Sequence, residues 1–215
     1  MQAERNLTAW LWATPNSNRV SILFEELGLG YAVRGVNIRR GEQKAAEVVS
    51  RNPYGKIPIV DWDDAAGHHS LFESGAILLD FAGRHGRFLA GDDGGEPAAL
   101  MPWLMVVLTG LGPMMGQAHH WTALAPERPQ AARAHGIATV RRIYDTLERR
   151  LADRACLAGA YSIADIAAFP WIARSDWAEL TLSDFPNLER WHDRIAARPA
   201  VRAGMAKPDG ARLEG

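Results

Sequence analysis

The pairs Ile57-Pro58 and Glu73-Ser74 bracket the stretch of this chain with the clearest chemical potential. Pro58 heads the apolar run 57–60. A proline donates no backbone N–H, so it is tolerated at a sheet edge, at a first strand residue or at a bulge. An X-Pro bond also adopts the cis form at modest cost, typically in a tight turn. The residues alone leave cis and trans open. Glu73 and Ser74 stand where a second apolar segment begins, and that position reads as a helix start. Free N–H groups there attract a carboxylate, and a serine hydroxyl can cap them. An open backbone edge beside a helix N-terminus suits an extended, anionic, peptide-like ligand. Plain structural uses stay open too, Glu73-Ser74 as helix-start chemistry and Pro58 as an edge proline.

Three other groups invite a chemical reading. Thr14-Pro15-Asn16 sits in a polar turn, and both polar residues can serve that turn alone. His119-His120 suggests a metal ligand, but adjacent helical side chains point about 100° apart and do not share a ligand position. No metal site is expected. The single cysteine, Cys156, excludes an internal disulfide and a multi-cysteine metal site. It lies near a helix end and reads as inert. Tyr144 and Trp171 read as core or pocket wall.

Hydrophobic periodicity supplies the elements that must hold these groups. Residues 7–12 read as a first strand. A helix follows, with Val20, Leu23, Phe24 and Leu27 at helical spacing, Ser17 or Asn18 as its cap and Gly28 as its stop. Residues 31–38 read as a second strand and 43–49 as a weak short helix. Asn52-Pro53-Tyr54-Gly55 is a turn. A third strand at 57–60, a polar connection at 61–68, a fourth strand at 69–72 and a helix at 73–86 complete this half. The order β-α-β-α-β-β-α predicts a thioredoxin-like, mixed four-stranded sheet with helices beside it.

The polar, Gly-rich run Gly91-Asp92-Asp93-Gly94-Gly95-Glu96-Pro97 marks a linker at 89–97. It divides a first domain, 1–88, from an all-helical domain, 98–215. In the second, helices are expected at 98–121 with a kink at Gly110-Leu111-Gly112-Pro113, at 126–151, at 163–177 and at 187–198, with a short helical tail. Ser162-Ile163-Ala164-Asp165 is a capping box, and Asp165 serves folding. The fold class is α/β plus all-α.

Composition bounds the rest. Hydrophobic residues at 47% and charged residues at 23% are those of an ordinary globular protein. The formal net charge of −1 gives no reason to expect nucleic acid or a membrane surface as partner. The N-terminus has no apolar signal core. No apolar stretch is expected to reach the roughly 18 residues that span a bilayer. A cytoplasmic protein is the default expectation.

Taken together, these marks resemble the cytosolic glutathione transferases. The thioredoxin-like half with its Ile-Pro strand entry and Glu-Ser helix start, and the helical half with its Ser-x-x-Asp box, carry the resemblance from about Leu7 to Met205. Thr14-Pro15-Asn16, Gly41-Glu42-Gln43, the run from Leu71 to Leu78, and Gly110-Leu111-Gly112-Pro113-Met114-Met115-Gly116-Gln117 followed by His119-His120 are similar to the bacterial Nu class and its fungal nitrogen-regulator relatives.

The resemblance implies glutathione as co-substrate and no metal. It implies a cis Pro58, with the Ile57 backbone paired to the cysteinyl part of glutathione. Ser74 and the helix N-terminus would take the γ-glutamyl carboxylate, Glu73 the ammonium, and Gln43 and Lys56 the rest of the tripeptide. Thr14 and Asn16 would sit at the sulfur as the catalytic pair. A hydroxyl or amide N–H donated to sulfur favours thiolate over thiol. The helix dipole adds to that. Gln117, His119, Arg133 and His135 would meet a second glutathione or the partner subunit. His135, with Arg133 two residues earlier, stands where the class usually carries an Arg that crosses the dimer. Ala118 stands where Asn often precedes the His pair. A homodimer through Phe72 and the helices at 73–84 and 98–121 is implied.

The activity so implied is glutathione-dependent disulfide reduction on one or two glutathione molecules, with weak conjugating or peroxidase activity. A conjugating transferase for small electrophiles and a non-enzymatic glutathione-fold regulator are the alternatives. Met114, Met115, Trp121 and Trp171 are candidate pocket walls for the conjugating reading.

Overall fold

The computed structural model describes residues 4–91 and 94–211. The chain divides into two compact units, one running to Arg87 and resuming at Arg198, the other spanning Phe88–Ala197.

The first unit is a thioredoxin-like four-stranded sheet with helices. Strands β1 (Arg5–Leu11), β2 (Ala32–Gly35), β3 (Ile59–Asp64) and β4 (Gly67–Phe72) lie in the order β2-β1-β3-β4. β1 and β2 are parallel, and β1–β3 and β3–β4 are antiparallel. Helix α1 (Pro15–Leu27) makes the crossover between the parallel pair. Leu7, Ala9 and Leu11 alternate with Thr8 and Trp10, so one face of β1 carries small and aliphatic residues and the other carries Trp10. Trp10 packs with Val36, Val48 of the short helix α2 (Ala46–Val49) and Ile59, and Ile57 and Phe72 close against them. Phe24 of α1 meets Phe81 of α3 (Ser74–His85) at 4.8 Å between ring centroids. Both rings are fully buried, each contributing about 2–3 kcal/mol. Gly28 ends α1 in the left-handed conformation, as expected.

Two expectations for this unit need correction. The polar connection expected at 61–68 is mostly strand, because each of its acids has a partner. Asp61 is buried and accepts from the Trp10 indole (2.9 Å) and from Arg51 (2.7 Å). Asp63 and Asp64 pair across the hairpin with His68 and His69. The expected helical domain 98–215 also loses its end. Helix α9 (Pro199–Met205) packs in the first unit, against α1. The Gly204 carbonyl accepts from Ser21 Oγ (2.7 Å) and Asn18 Nδ2 (3.2 Å). Arg198 clamps Glu26 through Nε and Nη2, one to each carboxylate oxygen. Asn18 is therefore a tie to α9, not a helix cap.

The second unit is helical. Its helices are α4 (Pro97–Met105), α5 (Gly112–His119), α6 (Gln130–Arg150), α7 (Ile163–Ile172) and α8 (Pro186–Ala196). The expected linker 89–97 is drawn into this unit. Phe88 O accepts from Ile163 N–H (3.0 Å), Glu96 N–H donates to Ala158 O (2.7 Å), and the Glu96 carboxylate holds Arg150 and Arg154. Asp92-Asp93 lies outside the described residues. The expected kink near Gly110 is a π-helical turn, Val106–Leu111, between α4 and α5. Pro113 lacks an N–H and its ring would crowd the carbonyl one turn back, which widens the turn. A second π-turn, His120–Leu124, follows α5.

With these turns the run Pro97–Leu124 is 28 residues long and, by length and composition, apolar enough to cross a membrane. That overturns the expectation of no such stretch. Leu100, Leu104, Val107, Leu111 and Met115 recur at three- and four-residue intervals and are buried in protein, as in a core helix. α7 is buried along all ten residues, as its composition predicts, but ends at Ile172 and gives way to a short 3₁₀ turn, Ser175–Ala178. Its capping box is formed. Asp165 accepts from Ser162 N–H and Oγ, Leu157 N–H and the Trp191 indole. Cys156 is buried beside α7's approach, in a short bridge with Gly159.

Candidate ligand site at one end of the sheet

Sheet topology gathers the candidate residues of the first unit. β1 runs antiparallel to β3, with Trp10 opposite Ile59, so the end of β1 lies beside the start of β3. β4 runs antiparallel to β3, with Phe72 opposite Ile59, so β4 ends there too. Thr14 follows β1, Pro58 precedes β3 and Glu73 follows β4. All three therefore emerge at the same end of the sheet. β2, parallel to β1, sends its continuation toward Gln43 from that end.

Thr14 is the N-cap of α1. Its Oγ1 accepts from Ser17 N–H (3.2 Å) and lies 3.0 Å from Ser17 Oγ. Ser17 in turn accepts from Trp12 N–H (3.3 Å). The cap thus falls earlier than Ser17 or Asn18, the residues expected to provide it, because Pro15 fits the first helical position. The Thr14–Ser17 hydroxyl pair can run in either direction. When Ser17 donates, the Thr14 hydrogen is released toward a ligand.

Asn16 is half-buried, and its Oδ1 accepts from Arg19 Nη1 at 2.8 Å. The same Nη1 reaches Ser74 Oγ at 3.1 Å. Arg19 is 3% exposed. Burial pushes its guanidinium down to about 9, opposed by the Glu73 carboxylate, and it is cationic at neutral pH. Sequence reasoning missed Arg19. The available signal was its spacing of three from Asn16, which places the two on one helix face.

Glu73 takes φ 70° and ψ 114° and precedes α3 without capping it. Such a backbone is strained for a residue with a side chain, and strain of this kind concentrates at ligand clamps. Ser74, expected as a cap, is the first residue of α3 and is buried with its oxygen on Arg19. The Ile57-Pro58 bond is cis. Lys56 is exposed, its ammonium 4.9 Å from the Tyr54 ring centre, and its carbonyl accepts from Asn52 Nδ2 (2.7 Å). Gly55 turns left-handed beside Gln43, where a Cβ would stand 3.6 Å from the Gln43 carbonyl. Gln43 Oε1 is buried and has no hydrogen-bond partner among the described residues.

The remaining candidates belong to the second unit. Gln117 is exposed on α5. His119 stacks on Trp177 at 4.0 Å, a packing contact. Arg133 is held by both oxygens of Glu179. His135 is exposed, and its carbonyl accepts from the Thr139 hydroxyl. No cluster of three metal-ligating side chains occurs among the described residues.

Comparison with known proteins matches two family models. Residues 5–79 fit the glutathione S-transferase N-terminal domain and residues 106–199 the glutathione S-transferase C-terminal domain. The disulfide-bond oxidoreductase YfcG of Escherichia coli K12 is 40% identical over 199 residues, covering 90% of this chain and 92% of YfcG. A glutathione transferase from Burkholderia graminis, with two glutathione molecules bound per subunit, superposes with a TM-score of 0.86 at 34% identity over 96% of this chain and 90% of that one. One from Pseudomonas putida, with one glutathione disulfide bound per subunit, superposes with a TM-score of 0.87 at 31% identity over 95% of this chain and 92% of that one.

Proposed function

This chain belongs to the glutathione S-transferase family, and from that premise we propose that it is a glutathione-dependent disulfide reductase whose reacting thiol is the ligand's own. The carrying observation is the placement of sulfur. The chain has one cysteine, Cys156, and it is buried in the second unit. The sheet-end site instead offers Asn16, Thr14 and the N-terminus of α1.

Glutathione lies extended along the cis Ile57-Pro58 segment, whose backbone pairs with its cysteinyl residue. Its γ-glutamyl carboxylate meets Ser74 and the start of α3, and its ammonium meets Glu73. Gln43 and Lys56 hold the rest, Lys56 toward the glycyl carboxylate. The buried, partnerless Oε1 of Gln43 supports a donor from the tripeptide there. The sulfur faces Asn16 and Thr14, whose N–H and O–H favour the thiolate.

The thiolate attacks one sulfur of a substrate disulfide. A mixed disulfide with glutathione forms and the other half leaves as a thiolate. A second glutathione thiolate attacks the glutathione sulfur of that mixed disulfide, which yields glutathione disulfide and frees the second thiolate. The two leaving thiolates take up the two protons lost by glutathione. The bound states of the Burkholderia graminis and Pseudomonas putida proteins, two glutathiones in one and the disulfide in the other, support the two ends of this sequence. A homodimer through Phe72 and the helices at 73–84 and 98–121 is part of the same reading, and the exposed Met101 and Met105 in the latter support it.

The test is glutathione-coupled reduction of a model disulfide, with conjugation of an aryl halide measured beside it. Asn16→Ala is expected to lower disulfide reduction about 10- to 100-fold, the worth of one hydrogen bond to a charged group. Full activity in both Asn16→Ala and Thr14→Ala refutes the placement of the sulfur. Strong conjugation without disulfide reduction refutes the reaction.

A further inference from the structure

We propose that Arg19 is a positioning residue that sets the hydrogen-bond polarity of the site, turning Asn16 and Ser74 into donors toward the ligand. The inference rests on the reading above, in which sulfur lies at Asn16 and the γ-glutamyl carboxylate at Ser74.

A guanidinium has five N–H donors and no acceptor. Whatever faces Arg19 Nη1 must therefore present oxygen. For Asn16 that settles the amide: Oδ1 lies 2.8 Å from Nη1, so the NH₂ is the end turned away from Arg19. An amide in the opposite orientation would put N–H₂ against N–H and oxygen against a thiolate, and both contacts are repulsive. For Ser74 the oxygen accepts from the same Nη1 at 3.1 Å. Its hydroxyl hydrogen then points elsewhere and can be donated to an anion at the start of α3.

One buried nitrogen thus enforces the same polarity on two residues that come from different helices. Both anionic ends of the ligand, thiolate and carboxylate, meet hydrogens. Burial, at 3% exposure, fixes where the guanidinium sits but works against its charge, and the nearby Glu73 carboxylate offsets part of that cost. A purely structural arginine in this position would need only to fill space between α1 and α3. It would not need both acceptors on one nitrogen.

The experiment follows the ionisation of bound glutathione by thiolate absorbance against pH, in wild type, Arg19→Met, Arg19→Lys, Asn16→Ala and the double variant Asn16→Ala/Arg19→Met. Binding of S-methylglutathione, which has no ionisable thiol, reads the carboxylate end separately. The wild type is expected to lower the thiol midpoint. Arg19→Met should raise it by about one pH unit, a tenfold loss of thiolate preference, and should weaken S-methylglutathione about tenfold. Arg19→Lys should restore both, since an ammonium also presents only donors. In the thiol midpoint the double variant should match Asn16→Ala within about half a pH unit, because Arg19 acts on the sulfur through Asn16.

Fully additive effects on the thiol midpoint, or an unchanged midpoint in Arg19→Met where Asn16→Ala raises it, overturn the role of Arg19 alone. A wild type that leaves the thiol midpoint where it is in free glutathione overturns the underlying reading. Should Arg19→Met fail to fold, the wild type decides by nuclear magnetic resonance. The Asn16 side-chain amide protons shift as the bound thiol ionises if they face it, and a flat response overturns the proposal.

Discussion

Replacing Gly204 by alanine is expected to loosen the seat of α9 on α1 and with it the helix that carries Asn16 and Arg19. A Cβ at Gly204 would stand 2.5 Å from Ile22 N, 2.6 Å from Ile22 Cα and 2.8 Å from Ile22 Cγ1. Two of these are backbone atoms, so no side-chain rotation relieves them, and the helices must part by roughly an ångström to reach ordinary contact. Overpacking of this kind costs about 1–3 kcal/mol. The move also stretches the bonds from Ser21 and Asn18 to the Gly204 carbonyl, about 1 kcal/mol each. Alanine returns about 1 kcal/mol of helix propensity. The net expectation is a loss of about 2–4 kcal/mol, read as a lowered urea midpoint with unchanged slope. Gly83→Ala is the control. Gly83 lies on the exposed side of α3, where an added Cβ would meet nothing within 4 Å, and the same substitution should gain about 0.5–1 kcal/mol there. A Gly204→Ala protein within about 0.5 kcal/mol of wild type, the scatter of an ordinary surface substitution, refutes the close packing of α9 on α1.

Other expectations follow from single contacts. Asp165→Ala removes the acceptor for the Leu157 and Ser162 N–H groups and the Trp191 indole, all buried, and should cost about 3 kcal/mol or more in urea unfolding. Trp191→Phe, which removes one of those donors and keeps much of the ring's bulk, should cost clearly less. The hairpin acids give a pH dependence. A hydrogen bond from Asn6 and then one from His68 hold Asp63 below its ordinary value, and His69 does the same for Asp64. Their folded values lie below the unfolded ones, so the unfolded chain binds more protons in the acid range. Their contribution is present above the ordinary carboxylate range near 4 and is lost as pH falls through the depressed values. Asp64→Asn should flatten that part of the stability profile, measured from neutral pH down through the carboxylate range.

Much of the fold was legible because local signals agreed with the packing. The strand–helix order, the left-handed stop at Gly28 and the Ser162–Asp165 box each depend on residues close in sequence, and each formed. The misses share a physical cause, which is a partner far along the chain. Residues 61–64 read as a polar connection until Trp10 and Arg51 are seen to hold Asp61 and the hairpin histidines to hold Asp63 and Asp64. The tail helix belongs with α1 because Gly204 lets two backbones meet, which no local pattern reveals. Of the sheet-end residues, Pro58 left a mark in residue type, since an X-Pro bond is the kind that goes cis at modest cost, whereas the left-handed Glu73 and the packing of Ser74 on Arg19 left none. Arg19 left none beyond its spacing, since an arginine on a helix reads as solvated until its acceptors are known.

The placement of glutathione is tested most directly by the structure of this protein with the tripeptide bound. The expected result is the cysteinyl residue paired to the Ile57 backbone, the γ-glutamyl carboxylate on Ser74 at the start of α3, and the sulfur within hydrogen-bond distance of the Asn16 side-chain nitrogen. A tripeptide bound with its sulfur turned away from Asn16 and Thr14, or bound away from the end of the sheet, contradicts that placement.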